Sequence, residues 1–329
     1  MKKLLVLVVT VAMLLSIAAV SLGAVTTSAS FRFELIDDAS VKTSQGKTVD
    51  NADFRVTFAG KISDTVDASY TARVQTTGKP GNTVTVSGTS GKTDDSLYAD
   101  EYFFNFKQSW GTVKVGAFDY KVHPSRILAK AANNNIYVER NPTMTTVNIP
   151  IGDSGFYTGG AYVIDGSSSA LRDNAYNVKL GYAVGKKYGV ELNYYETGVQ
   201  KVKTTAAGKS PLESALNWDA FYQATDKIKV YVYGTDPKYY NPTNFVGGEA
   251  YEQETLLGVL FTKIADTNLQ ASFEYSIDKR KASGVEWDEN PYGIQAIYKF
   301  NNGLRLEYEL TNVNAKNDAK NLLRFRLDF

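Results

Sequence analysis

The chain has 329 residues, with 36 Lys and Arg, 35 Asp and Glu and one His, for a formal charge of +1. Near-neutrality persists without Lys2 and Lys3. It excludes a strongly basic nucleic-acid binder and a global steering field, and a single His excludes a His-based metal cluster. There is no Cys, which is consistent with an exported protein that folds without disulfides, and aromatics are plentiful, with Tyr 22 and Phe 16 against Trp 3.

Lys2 and Lys3 precede an apolar run from Leu4 to Val20, and small residues follow at Ser21, Gly23 and Ala24. That layout predicts a secretory signal peptide over 1–24 rather than a retained anchor, leaving 25–329 as one domain. Nothing in 25–329 approaches the roughly 18 apolar residues of a spanning helix.

Downstream, segment after segment alternates apolar and polar residues with period two, the signature of strands with two unlike faces. Phe54, Val56 and Phe58 oppose Arg55 and Thr57, and Tyr102, Phe104 and Phe106 oppose Phe103, Asn105 and Lys107. Val113, Val115 and Ala117 oppose Lys114 and Gly116. Later segments repeat the rule: Tyr176, Val178, Leu180 and Tyr182; Val190, Leu192 and Tyr194; Leu269, Ala271, Phe273, Tyr275 and Ile277; Leu304, Leu306, Tyr308 and Leu310.

Link lengths alternate as well. Short links fall at Ser63-Asp64, Ser109-Trp110, Gly152 to Ser154, Gly185 to Lys187, Thr225-Asp226, Ala265-Asp266 and Asn301 to Gly303. Long polar links fall at 37–52, 77–97, 119–142, 165–173, 198–214, 235–251, 278–290 and 312–320. Seven short and eight long links predict sixteen strands, the first at 31–36 and the last at 321–329. Exposed strands in hydrocarbon satisfy their backbone only in a closed barrel. The expectation is therefore an all-β, closed antiparallel transmembrane barrel with short periplasmic turns and long external loops. A soluble sandwich or solenoid explains the alternation equally well. It does not predict the regular links or the aromatics near strand ends, at Tyr98, Tyr182, Tyr188, Tyr233, Tyr292, Tyr298 and Phe300.

The last segment, Asn321 to Phe329, sets Leu323, Phe325, Leu327 and Phe329 against Arg324, Arg326 and Asp328. With the leader and the alternation, it resembles the bacterial outer-membrane porins, and the whole of 25–329 resembles the sixteen-stranded general porins in architecture. The resemblance implies a homotrimer in outer-membrane lipid, and a terminal Phe329 read by the barrel-assembly machinery. It also implies a third external loop, here 119–142, that folds into the lumen and narrows it. This loop lacks the Pro-Glu-Phe-Gly run of enterobacterial members and mixes Asp119 and Glu139 with Lys121, Arg126, Lys130 and Arg140. Its stretch from Ser125 to Ala132 suits a short helical turn.

Candidate constriction residues are Asp119, Arg126, Lys130, Glu139 and Arg140, because a loop reaches the axis of a wide barrel and a wall residue does not. Arg55, Arg73, Lys107 and Lys114 have the parity of lumen-wall residues. They form either a basic strip that selects ions or the scatter of charge that any wet lumen tolerates. Alternating signs at Arg305, Glu307, Glu309, Arg324 and Arg326 read as a salt-bridged wall. Tyr239 and Tyr240 are candidates to stack on a sugar, and Tyr157 and Phe31 read as members of the strand aromatics.

No Gly-x-Ser-x-Gly elbow or phosphate-binding Gly-rich loop is present, so no enzyme is expected, and no cofactor is implied. The expected function is passive diffusion of ions and small hydrophilic solutes across the outer membrane. The alternatives are a substrate-selective channel, for instance for sugars, and a non-conducting structural or adhesive barrel.

Overall fold

The computed structural model describes residues 25–38, 48–77, 97–118, 120, 128, 143–165, 174–196, 212–239, 249–282, 285–313 and 320–328. The expected signal peptide, 1–24, lies outside them. The strands are β1 (Val25–Asp38), β2 (Thr48–Ser63), β3 (Val66–Thr77), β4 (Leu97–Gln108), β5 (Gly111–Ala117) and β6 (Thr143–Pro150). They continue with β7 (Phe156–Asp165), β8 (Tyr176–Val184), β9 (Tyr188–Glu196), β10 (Leu212–Gln223), β11 (Ile228–Tyr239) and β12 (Glu249–Phe261). The last are β13 (Leu269–Ala282), β14 (Val285–Glu289), β15 (Tyr292–Lys299), β16 (Leu304–Val313) and β17 (Lys320–Asp328).

Each strand except β14 pairs antiparallel with the next, β13 pairing with both β14 and β15, and β1 pairs with β17 from Ser30↔Asp328 to Asp38↔Lys320, which closes the sheet on itself. β14 and β15 are two parts of one stave. Asp278↔Glu289 and Tyr275↔Tyr292 share one register offset, and Ser276 N–H still reaches the carbonyl of Pro291 at 2.9 Å. Pro291 has no N–H to return, so the ladder breaks there without slipping. The described residues therefore build a sixteen-stave barrel. No helix among them is long and apolar enough to cross a membrane.

Period-two alternation sets the two faces. Phe104, Leu180, Val190, Leu192 and Leu257 are each half-exposed on the outside, where no protein covers them. On β13 the opposite parity, Ser272, Glu274, Ser276 and Asp278, is at most 2% exposed. Apolar groups face out and polar groups in, the inverse of a water-soluble fold. Near the short turns the outer aromatics cluster, Phe156 on Tyr182 at 4.7 Å and Tyr298 on Phe300 at 4.8 Å between ring centroids, as rings do at a membrane interface.

Several expectations need correction. β1 begins at Val25, because the weakly patterned Thr26 to Ser30 gain partners on β2, Ala59 to Arg55. The link expected at 278–290 is mostly strand: β13 and β14 pair up to Ala282↔Val285, with Lys281 opposite Glu286 and Lys279 opposite Asp288 in the register. A ladder standing in water needs no apolar face, so its polarity reads as a loop. The turn expected at Ala265-Asp266 spans 262–268, with Lys263, Ala265 and Asp266 all left-handed. Tyr233 belongs to the inner wall, 1% exposed, and not to the outer belt.

Inward glycines let rings lie flat on the wall. A Cβ at Gly181 would stand 2.2 Å from the Tyr157 ring, and one at Gly258 2.2 Å from the Tyr231 ring. Gly258→Ala is expected to push Tyr231 off the wall at a cost of about 1–3 kcal/mol, the range for overpacking. Urea unfolding from lipid vesicles measures it, and a variant as stable as the parent contradicts the close approach.

Candidate functional site: the inner wall and the inward loop

The inner wall over β16, β17, β1, β2 and β3 is an arc of paired charge. Asp53, 3% exposed, is the hub. Arg32 reaches its Oδ2 at 2.9 Å, Arg73 at 2.8 Å and Arg55 at 3.2 Å. Arg73 and Arg55 also contact Asp100, each at 3.3 Å. Asp100 is turned inward by a bulge, since Thr71↔Glu101 is followed by Ala72↔Ala99 and leaves Asp100 unmatched. The arc continues with Arg324 on Glu307 at 2.6 Å, Arg326 on Asp328 at 2.7 Å, and Arg305 on Asp328.

The structure divides the four wall residues singled out in the sequence. Arg55 and Arg73 share the Asp53 network. Lys107 is half-exposed and pairs with Asp67 at 2.5 Å near the short-turn end. The ammonium of Lys114 lies over Phe103 at 3.6 Å and Phe118 at 3.9 Å. The arc is thus balanced charge and not a bare basic strip. Arg32, Asp53 and Asp100 were missed: Asp53 stands at the border of the link expected at 37–52, just before the alternation that starts at Phe54, and Asp100 obeys parity only through its bulge.

Two patches of the inner wall are apolar, against the rule of a polar lumen, and each receives the segment after β5. Phe118 is 2% exposed in a cluster with Met144, Ala161, Val163, Ala175 and Tyr195, joined by Tyr120. Tyr120 donates its hydroxyl to Asn177 Oδ1 at 2.7 Å. Burial, helped by the Glu191 carboxylate, pushes that phenol above its usual range and keeps it a donor at neutral pH. Leu128, 1% exposed, packs on Tyr231, Tyr233 and Leu256, and its backbone N–H donates to Glu274 Oε2 at 2.7 Å.

Position gives these contacts their meaning. Leu128 belongs to the link between β5 and β6, yet its partners stand on β11, β12 and β13. In a ring of sixteen staves β13 is diametrically opposite β5. Leu128 is therefore docked on the inner wall opposite the strand that leads to it. Arg126 and Lys130 flank it in sequence. Asp119, Arg126, Lys130, Glu139 and Arg140 lie outside the described residues, as do the side chains of Tyr239 and Tyr240 and the terminal Phe329.

Asp53→Asn would leave three guanidinium groups without their shared carboxylate. The expected cost is about 1.5–3 kcal/mol, the range for hydrogen bonds to charged groups. Urea unfolding in lipid vesicles reads it, and Asp226→Asn, in an exposed turn, should fall within error of the parent.

No family model and no curated protein sequence matches the chain. Solved structures do. A mutant of the Rhodopseudomonas blastica porin superposes with a TM-score of 0.62 at 16% identity, over 93% of this chain and 100% of that one. Salmonella typhi OmpF, in a complex with daunomycin, gives 0.64 at 12% identity over 93% and 97%. A structure described as showing asymmetric conductivity of engineered proteins gives 0.61 at 14% identity. Identities this low speak for the fold. With its closed sheet of sixteen staves and apolar exterior, the chain has the β-barrel fold of the general porins.

Proposed function

We propose that the protein is a passive diffusion channel for ions and small hydrophilic solutes. The observation that carries this reading is Leu128, docked on the wall opposite its own strands. A segment anchored inside the lumen at Leu128 narrows a wide hole to a size limit, which is what a diffusion channel requires. A closed wall of polar side chains supplies the wet path that hydrocarbon denies, and diffusion through it needs no cofactor and no chemical step.

Selectivity is set where the path is narrowest. Arg126 and Lys130 flank the docked Leu128, with Arg140 further along, against Asp119 and Glu139. The facing Arg32, Arg55 and Arg73 share two carboxylates, Asp53 and Asp100. The balance is slightly positive, so the channel conducts with a weak preference for anions. Three barrels associate as a trimer, as the porin architecture suggests.

Single-channel current in a planar bilayer under a KCl gradient tests this. Stable steps grouped in threes are expected, with a reversal potential displaced a little toward chloride. Arg126→Ala with Lys130→Ala moves it toward potassium. Folded, inserted protein that passes no current would sink the channel reading, and a strong cation preference would sink the assignment of charge.

A further inference from the structure

The wall facing the arginine arc carries a cavity of about 570 Å3 near the short-turn end of the barrel, lined among others by Asn148, Asp153, Tyr157, Lys179 and Glu191. We propose that it is a saccharide subsite, in which a mono- or disaccharide stacks on Tyr157 on its way through the lumen. The inference rests on the channel reading for its route of access and goes beyond it in naming a ligand class.

The platform comes first. The Tyr157 ring covers the inward side of Gly181, where a Cβ would stand 2.2 Å away, so one face lies on the wall and the other looks into the barrel. A flat aromatic face is what the C–H side of a pyranose needs. Two other inner rings are built on glycines in the same way but are covered. Tyr231 lies over Gly258 beneath Leu128, and Phe221 lies over Gly189 and packs against the same Leu128 cluster. Tyr157 is the ring that borders the cavity.

The polar rim comes second. Glu191 is held in place by the Tyr157 hydroxyl at 2.7 Å and the Asn193 amide at 2.7 Å, with Lys179 Nζ at 3.6 Å. Each carboxylate oxygen keeps acceptor capacity beyond these bonds. Lys179 Nζ is 5.5 Å from the Tyr157 centroid, placed to donate to a ring hydroxyl laid on that face. Asn148 adds a donor and an acceptor, and Asp153 a second carboxylate. Donors and acceptors of both kinds around one aromatic face suit hydroxyl groups, which use both, better than they suit a simple ion. The volume falls in the range of small-molecule sites.

The probe is maltose, with polyethylene glycol of the same hydrodynamic radius as a control for volume alone. In planar bilayers, maltose is expected to add saturable current noise that the glycol does not. Tyr157→Ala should weaken the maltose effect at least tenfold, Tyr157→Phe, which keeps the ring, by less than threefold, and Glu191→Gln by an intermediate factor. Equilibrium dialysis of labelled maltose against folded protein in detergent reads the same site without current. Saturable binding lost in Tyr157→Ala supports the subsite even if the barrel does not conduct. Noise equal for maltose and glycol, or dialysis without saturable binding, overturns it and leaves the channel reading to its own test.

Discussion

A peptide group in hydrocarbon has no water to bond with, and each one left unpaired costs several kcal/mol. The pairing of β1 with β17 answers that constraint, because it removes the two edges an open sheet would expose. Once the sheet is closed, the rest follows in order. Every strand has an outside in lipid and an inside in water, so side chains must alternate. Tight turns join the strands at one end of the barrel, and the long links join them at the other. Where the ladder is interrupted, at Pro291, register is kept because a slip of one residue would turn every following side chain of that stave to the wrong medium.

Closure also creates the interior problem that the inner wall solves. Charges drawn together on adjacent strands repel unless countercharge sits among them, and Asp53 and Asp100 supply it for three arginines at once. The two apolar patches, around Met144 and around Leu256, would be misplaced in an empty wet lumen. They are accounted for by the segment after β5, which brings Phe118 to one and Leu128 to the other. Phe118 and Leu128 are both fixed to the inner wall, and the hydrogen bond from Leu128 N–H to Glu274 adds direction to a contact that is otherwise apolar.

Fold was legible because its signal is repeated in every strand. The outer residues of β8 and β9, such as Val178, Leu180, Val190 and Leu192, could be assigned from parity alone, and the structure leaves them facing out. Legibility fails where a residue's partner is remote. Tyr233 is inward by parity, but tyrosine is so common on the outside that its identity suggested the belt, and Tyr157 read only as one of the strand aromatics. Nothing around Leu128 in sequence announces a dock on a strand more than a hundred residues away. Asp100 needed a bulge, and β13 with β14 extended into water, where patterning has no second medium to follow. Local alternation gives the wall. Long-range contacts decide what docks on it, and those are not written in any one segment.

The central claim is that the segment after β5 lies across the lumen with Leu128 against the far wall. The chain has no Cys, so the pair Leu128→Cys and Leu256→Cys can be read without background after mild oxidation of the folded protein in vesicles. The account predicts a disulfide between them in high yield, with both thiols shielded from a bulky maleimide beforehand. Free labelling of Leu128→Cys from the outside, with no cross-link to Leu256→Cys, would place the loop outside the barrel and contradict it.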